Sequence, residues 1–288
     1  MITVERLGTF GNNIWEYATA RILAEKLGLK LKCASNIDDS IGSAGFTEKS
    51  ASSSWITGLP NTKPEIDGEV IEEPVVVLPR YHDLNSISKG RIIMNDFYDH
   101  YKHIKNHKKQ VKEWFKTNIE SPIVVNHDDL VLTIRRGWCN SSPTVPINNG
   151  GCYPVSMCPP GAFFLKLLKK IDYKRIILCT DSFDDPYFEF LNELDCEVIK
   201  ADFSGIEQFA LINSANKIVI TTSTFCWWGA FLSNATEIYC PWIQDLNNSW
   251  YVDDEERFIY VTDDLLSEVG SYENASPQST APEGAMTL

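Results

Sequence analysis

From Asp128 onward, short apolar runs of strand character alternate with segments of helical character, and this rhythm limits the fold more than any other feature. Leu130–Ile134, Arg175–Thr180, Cys196–Lys200, Lys217–Thr221 and Glu237–Cys240 read as strands; 162–171, 186–194, 205–214 and 223–232 read as the helices between them. Strands that are near-continuously apolar and alternate with helices imply a parallel sheet covered on both faces. Ser204-Gly205-Ile206-Glu207 has the pattern of a capping box, which fixes the start of one helix.

The N-terminal third starts in the same way. Ile2–Arg6 reads as a strand, Gly8 to Gly11 as a glycine-bearing turn, Asn12 to Leu27 as a helix stopped by Gly28, and Leu29–Cys33 as a second strand. Together they make one βαβ unit. Residues 35–64 lack periodicity and read as loop. Val75–Leu78 and Arg91–Met94 read as short strands, and 101–118 as a lysine-rich helix with Val111, Trp114 and Phe115 on its apolar side. The segment 138–160 is a loop of a length associated with function or motion. The expected fold class is therefore α/β, with two Rossmann-like domains facing a cleft. The expected division is 1–125, 126–268 and a disordered tail, 269–288, poor in large apolar residues.

A net charge of −13 on 288 residues argues against nucleic acid or an anionic membrane as a partner, but leaves room for an anionic small ligand in a cleft holding a few arginines. Eight cysteines show neither C-x-x-C spacing nor Cys/His pairing, so neither zinc nor a disulfide framework is expected. Cys139, Cys152 and Cys158, in a polar loop, are the candidates for an exception. No apolar stretch approaches the ~20 residues that span a bilayer, so a cytoplasmic chain without membrane insertion is expected.

Three blocks carry the candidate chemistry. Leu7 to Ala18 joins a strand to a helix through glycines, where the main chain can approach a ligand and Asn12 can donate hydrogen bonds or cap the helix. Thr133-Ile134-Arg135-Arg136-Gly137 ends a strand, the place where open α/β sheets bind ligands. Arginine suits a diphosphate because its planar fork makes two hydrogen bonds to phosphate oxygens and keeps its charge. Adjacent side chains on an extended segment point opposite ways, so one arginine is expected to reach the ligand and the other to brace the strand end or a carboxylate. Thr221-Thr222-Ser223-Thr224-Phe225-Cys226-Trp227-Trp228 follows a strand and opens a helix, placing hydroxyls and unpaired amides at a positive dipole end. Asp181, after the strand ending at Thr180, is the best-placed carboxylate for sugar or ribose hydroxyls. It could equally cap the next helix, as Asp184 could.

These blocks resemble the alpha-1,2-fucosyltransferase family from about residue 3 to 245. Gly8, Phe10, Gly11, Asn12, Tyr17 and Ala18 match its opening segment; Arg135, Arg136 and Gly137 match its R-R-G; Thr180 and Asp181 partly match its S-D-D. Ser223, Thr224, Phe225, Trp227, Trp228, Gly229, Ala230 and Leu232 match its S-S-F-S-W-W-G-A-W-L. The resemblance implies a GT-B fold and metal-independent, inverting transfer of L-fucose from GDP-fucose to a glycan hydroxyl, with no cofactor beyond the donor. It implies that the arginine at position 135 or 136 binds the donor diphosphate and that the C-terminal half holds the nucleotide. With the positional reading above, the candidates are Arg135 and Asp181 as catalytic, and Gly11, Asn12, Arg135, Arg136, Asp181, Thr222, Ser223, Thr224 and Phe225 as donor-binding. The chain departs from the family at Thr133 (His), Trp138 (Asp), Asn13 (Gln) and Thr222 (Asn). These departures keep two alternatives open: another nucleotide sugar such as GDP-rhamnose or a UDP-sugar, and a binding module without catalysis. No general base is assigned; Asp181, Asp184, Asp96 and Asp99 are the carboxylates considered.

Overall fold

The structure, a computed structural model, describes residues 1–4, 10–33, 56–57, 75–78, 87, 91–94, 98–117, 119–136, 158–243, 249–266 and 281–288. The chain separates into two compact units, Met1–Ile119 and Glu120–Leu288.

In the first unit the elements are β1 (Ile2–Val4), α1 (Phe10–Leu27), β2 (Leu31–Cys33), β3 (Ile56–Thr57), β4 (Val75–Leu78), β5 (Arg91–Met94), α2 (Tyr101–Ile104), α3 (Lys108–Trp114) and β6 (Lys116–Thr117). Strands β2-β1-β5-β4 form a parallel sheet, and β3 pairs antiparallel with β6. Helix α1 is buried nearly all round. Ile14, Trp15, Ala18, Ala20 and Leu23 are sealed from solvent, and Asn13, Glu16 and Thr19 are buried with them, so α1 is a core helix without a broad solvent face. It stops in a Schellman turn: Gly28 takes φ +65°, its N–H donates to Glu25 O (3.3 Å), and Leu29 N–H donates to Ala24 O (2.9 Å). The helix expected over 101–118 is instead two short helices joined by a 3-10 stretch, Lys105–His107. Asn106 and His107 in that stretch rank low in helix propensity.

In the second unit the elements are β7 (Asp129–Ile134), α4 (Gly161–Leu168), β8 (Arg175–Thr180), β9 (Glu197–Lys200), α5 (Gly205–Ser214), β10 (Lys217–Val219), α6 (Thr224–Leu232), β11 (Glu237–Pro241), β12 (Phe258–Thr262) and β13 (Met286–Thr287). All strand pairs are parallel and the order is β13-β12-β11-β10-β7-β8-β9. Numbered within the unit from its outer edge at β9, this is the doubly wound Rossmann order 3-2-1-4-5-6, extended by β13. The chain runs from β7 outward to β9, then returns across the sheet to β10, so the reversal point lies between β7 and β10. Every residue of β7 is buried, as a central strand covered on both faces requires.

Packing outweighs capping in setting these helices. α4 begins after Pro160 with no side-chain cap, yet Phe163, Phe164, Leu167 and Leu168 are all buried in the core. Each such burial contributes ~1.5–3 kcal/mol, against ~1 kcal/mol for a good cap. The helix expected at 186–194 is a 3-10 helix, Pro186–Glu193, opened by Asp185, whose side chain accepts the Tyr187 N–H. In a 3-10 helix residues three apart eclipse, and Tyr187 and Phe190 make such a pair, edge to face at 5.8 Å. Four strands go beyond the sequence reading: β3 lies in the expected loop 35–64, β6 in the expected helix 101–118, and β12 and β13 in the second unit. Phe258–Thr262 had a legible signal, an aromatic and β-branched run. Met286–Thr287 had none; it lies within the expected tail and fills the open edge of β12, which offers main-chain hydrogen bonds to any short segment.

Candidate functional site

The C-terminal ends of β7, β8 and β10 carry most of the sequence-derived candidates. Thr133 Oγ1 donates to Val219 O (3.2 Å), and Arg135 N–H donates to Thr221 Oγ1 (3.4 Å), so the reversal point is crossed by two side-chain bonds. Thr133 thus serves to tie β7 to β10. Beside them, Gln208 bonds the carbonyls of Thr180 (3.2 Å) and Phe203 (3.1 Å), fixing the end of β8 against the start of α5.

The two arginines diverge, as the extended backbone required. Arg136 turns to Asp185 (Nε to Oδ2, 2.8 Å) and lies 4.1 Å over the Tyr187 ring; the pair is only 12 % and 13 % exposed. Burial pushes the Asp185 carboxyl up, but the Tyr187 N–H and the Arg136 guanidinium outweigh it and hold the group below the usual carboxylate range. Arg136 is thus the bracing arginine.

Arg135 turns to the side of α6. Its guanidinium carbon lies 5.2 Å from the Phe225 ring centroid, and its Nε meets Asp181 Oδ2 at 3.4 Å, with side chains 29 % and 22 % exposed. Asp181 accepts the Arg136 N–H through Oδ1 at 2.6 Å, so its carboxylate is pinned by main chain and meets Arg135 with the other oxygen. Asp181 does not cap the following helix; Asp185 does.

Ser223 stands at the N-cap of α6 in extended conformation, yet its hydroxyl makes no capping bond. At α5, by contrast, Ser204 and Glu207 complete the expected capping box. Thr222, Ser223 and Thr224 are half-buried at the start of α6, and Phe225 is buried beneath Arg135. Behind them, Trp227 and Trp228 are core aromatics: Trp227 stacks on Phe231 at 4.8 Å and donates to Trp250 O at 3.1 Å. A Cβ added to Gly229 would stand 2.8 Å from Ile212 Cγ2, so that glycine permits α5 and α6 to close up.

Gly11 and Asn12 belong to the first unit, in the first turn of α1, Gly11 buried and Asn12 half-buried. Gly8, Asp96, Gly137, Trp138, Cys139 and Cys152 lie outside the described residues. Asp99 is buried, and Asp184 is exposed after β8. Cys158 is a buried free thiol with Sγ 3.5 Å from Tyr187 Oη. Cys226, fully buried in α6, has its thiol pushed up by burial, partly offset by Arg135 and the nearby hydroxyls, and burial pushes Cys179 up as well. Neither is an activated nucleophile. Among the described residues no three His, Cys, Asp or Glu gather as a metal site, and no helix is long and apolar enough to cross a membrane.

Residues 190–262 match the model of glycosyl transferase family 11. The matched stretch holds β9 to β12, hence the Thr222–Phe225 block and the β10 side of the reversal point. The match supports a glycosyltransferase. No curated protein sequence matches the chain. Among solved structures, fucosyltransferase NodZ from Bradyrhizobium is similar at 12 % identity and a TM-score of 0.44, over 82 % of this chain and 93 % of that one. A NodZ alpha-1,6-fucosyltransferase crystal soaked with GDP-fucose gives 13 % and 0.43, over 87 % and 97 %. The iron-containing dodecameric glycosyltransferase TibC from enterotoxigenic E. coli H10407 gives 9 % and 0.43, over 90 % and 61 %. Likenesses at this level carry no argument about the reaction.

Proposed function

We propose that the chain is a glycosyltransferase that takes its sugar from a nucleoside-diphosphate donor, L-fucose from GDP-fucose being the first candidate, and passes it with inversion to a hydroxyl of a glycan. The observation that carries this reading is the meeting of Arg135, Phe225 and the first turn of α6 at the reversal point of a Rossmann-ordered sheet. When the glycosyl bond breaks, negative charge grows on the distal phosphate and must be met by cations and dipoles already in place. Arg135 supplies the cation there and α6 the positive end of its dipole. Thr222, Ser223, Thr224 and Phe225 line the phosphate side in this reading, Arg136 holds the strand end, and Asp181 acts as the partner of Arg135. Fixed cations take the role a metal would otherwise fill.

The N-terminal unit is assigned to the acceptor side and the C-terminal unit to the donor; a cytoplasmic location belongs to the same reading. The linkage stays open, because the alpha-1,2 assignment rested on motifs that this chain departs from at Thr133, Asn13 and Thr222. The experiment is a calorimetric and thermal-shift panel of GDP, UDP, ADP, dTDP and their sugar conjugates, followed by donor turnover. Selective stabilisation by GDP and GDP-fucose, with fucose released or transferred, is the expected result. A different preferred nucleotide moves the donor, binding without turnover leaves a binding module, and no binding at all ends the reading.

A further inference from the structure

We infer that Asp181 is an internal competitor of the donor's diphosphate for Arg135, and that it thereby limits how tightly the site holds the nucleoside diphosphate left after transfer. The inference rests on the donor-site reading above. The closest approach of Arg135 to Asp181 is Nε to Oδ2 at 3.4 Å, between side chains that remain 29 % and 22 % exposed. An ion pair of this kind, long and wetted, is weak and does little to fix a side chain. The two partners are not equally free. Asp181 is held by the Arg136 N–H at 2.6 Å, and the Arg136 side chain is itself held by Asp185 at 2.8 Å. The carboxylate therefore stays in place while the guanidinium can swing.

A diphosphate offers Arg135 two charge-assisted bonds to oxygens carrying more charge than a carboxylate, so the exchange favours the ligand. It does so by less than it would if Arg135 began unpaired. Release of the product reverses the exchange, since Asp181 waits where the guanidinium returns. Where product release limits turnover, such a competitor keeps the site cycling. The contacts made and broken are ionic alone, and no proton or covalent bond changes hands.

The test is a double-mutant cycle read by calorimetry. GDP, UDP and ADP are titrated into the wild type, D181N, R135A and the double variant, with guanosine, uridine and adenosine as controls. D181N keeps an oxygen for the Arg136 N–H, and unchanged affinity for the matching nucleoside reports that each variant is folded. The expected result is that D181N binds the preferred diphosphate about tenfold more tightly (about 1.4 kcal/mol). That gain is expected to vanish in the R135A background. Unchanged or weaker affinity in D181N overturns the inference, and so does a gain that survives in full without Arg135, which would mark plain charge repulsion. If R135A itself leaves diphosphate affinity intact, the donor-site reading falls and the inference with it. If R135A weakens binding while D181N is silent, only the inference falls.

Discussion

Strand β7 carries an Arg–Asp pair at each end, and the two are built differently. At its N-terminal end Asp129, 2 % exposed, takes two 2.8 Å bonds from Arg175 and one of 2.6 Å from the Asn126 N–H. At its C-terminal end Arg135 comes no closer to Asp181 than 3.4 Å, in partial contact with solvent. The first is a staple: both carboxylate oxygens are saturated in a fixed geometry. The second leaves a cation that can be re-partnered, at the end of the sheet where doubly wound folds take their ligands. The helices that follow the sheet repeat the contrast, since Ser204 closes a full capping box at α5 and Ser223 leaves its cap unmade at α6. The same residue types give rigidity or readiness according to how completely the surroundings satisfy them.

That contrast can be broken by substitution. Arg135→Ala is expected to weaken nucleoside-diphosphate binding by roughly 2–4 kcal/mol with little change in melting temperature, measured by calorimetry and thermal unfolding. Arg175→Ala is expected to do the reverse, destabilising the fold by about 2–3 kcal/mol in urea unfolding because it strands a buried carboxylate, while nucleotide affinity per folded molecule holds. If the two effects exchanged places, the assignment of a stapled end and a ligand end would be wrong.

The same staple predicts acid sensitivity. Burial pushes the Asp129 carboxyl up, but the Arg175 guanidinium and the Asn126 N–H outweigh it and leave its pKa lowered. A carboxylate with a depressed folded pKa contributes stability above its unfolded value, about 3.9, and loses it as pH falls through the folded value. Unfolding followed below about pH 4 should therefore show a loss of stability that Asp129→Asn removes; an identical slope in both proteins would deny the staple its role. The smallest effects separate the two caps. Ser204→Ala is expected to cost about 1 kcal/mol of stability and Ser223→Ala less than about 0.5 kcal/mol. A larger stability loss at Ser223 would mean that it is a working cap.

Much of this was legible in the sequence. The alternating apolar runs gave β7 to β11 and their parallel sense, and Ser204 with Glu207 announced the start of α5, because strand burial and capping are local patterns. The sequence placed Arg135 and the start of α6 each after a strand, but their meeting depends on β7 and β10 being neighbours in the sheet. The split of roles between the arginines was visible only as an expectation of divergence; which one braces and which one meets Phe225 depended on Asp185 and Tyr187, about fifty residues away along the chain. The 3-10 form of Pro186–Glu193 and the break in 101–118 escaped, because helical periodicity over a few residues does not distinguish a 3-10 turn from an α-turn. Gly229 entered the sequence reading only through the family resemblance, and its closest constraint is Ile212 on the neighbouring helix.

What the sequence by itself determined is the kind of fold and the ends of strands where chemistry can stand, for these follow from the order and periodicity of apolar residues. Only the tertiary structure decided strand order, and with it that β7 and β10 are neighbours at the reversal point. It also decided which carboxylate holds which arginine. Those choices depend on side chains tens of residues apart meeting in space, and no local pattern carries that information.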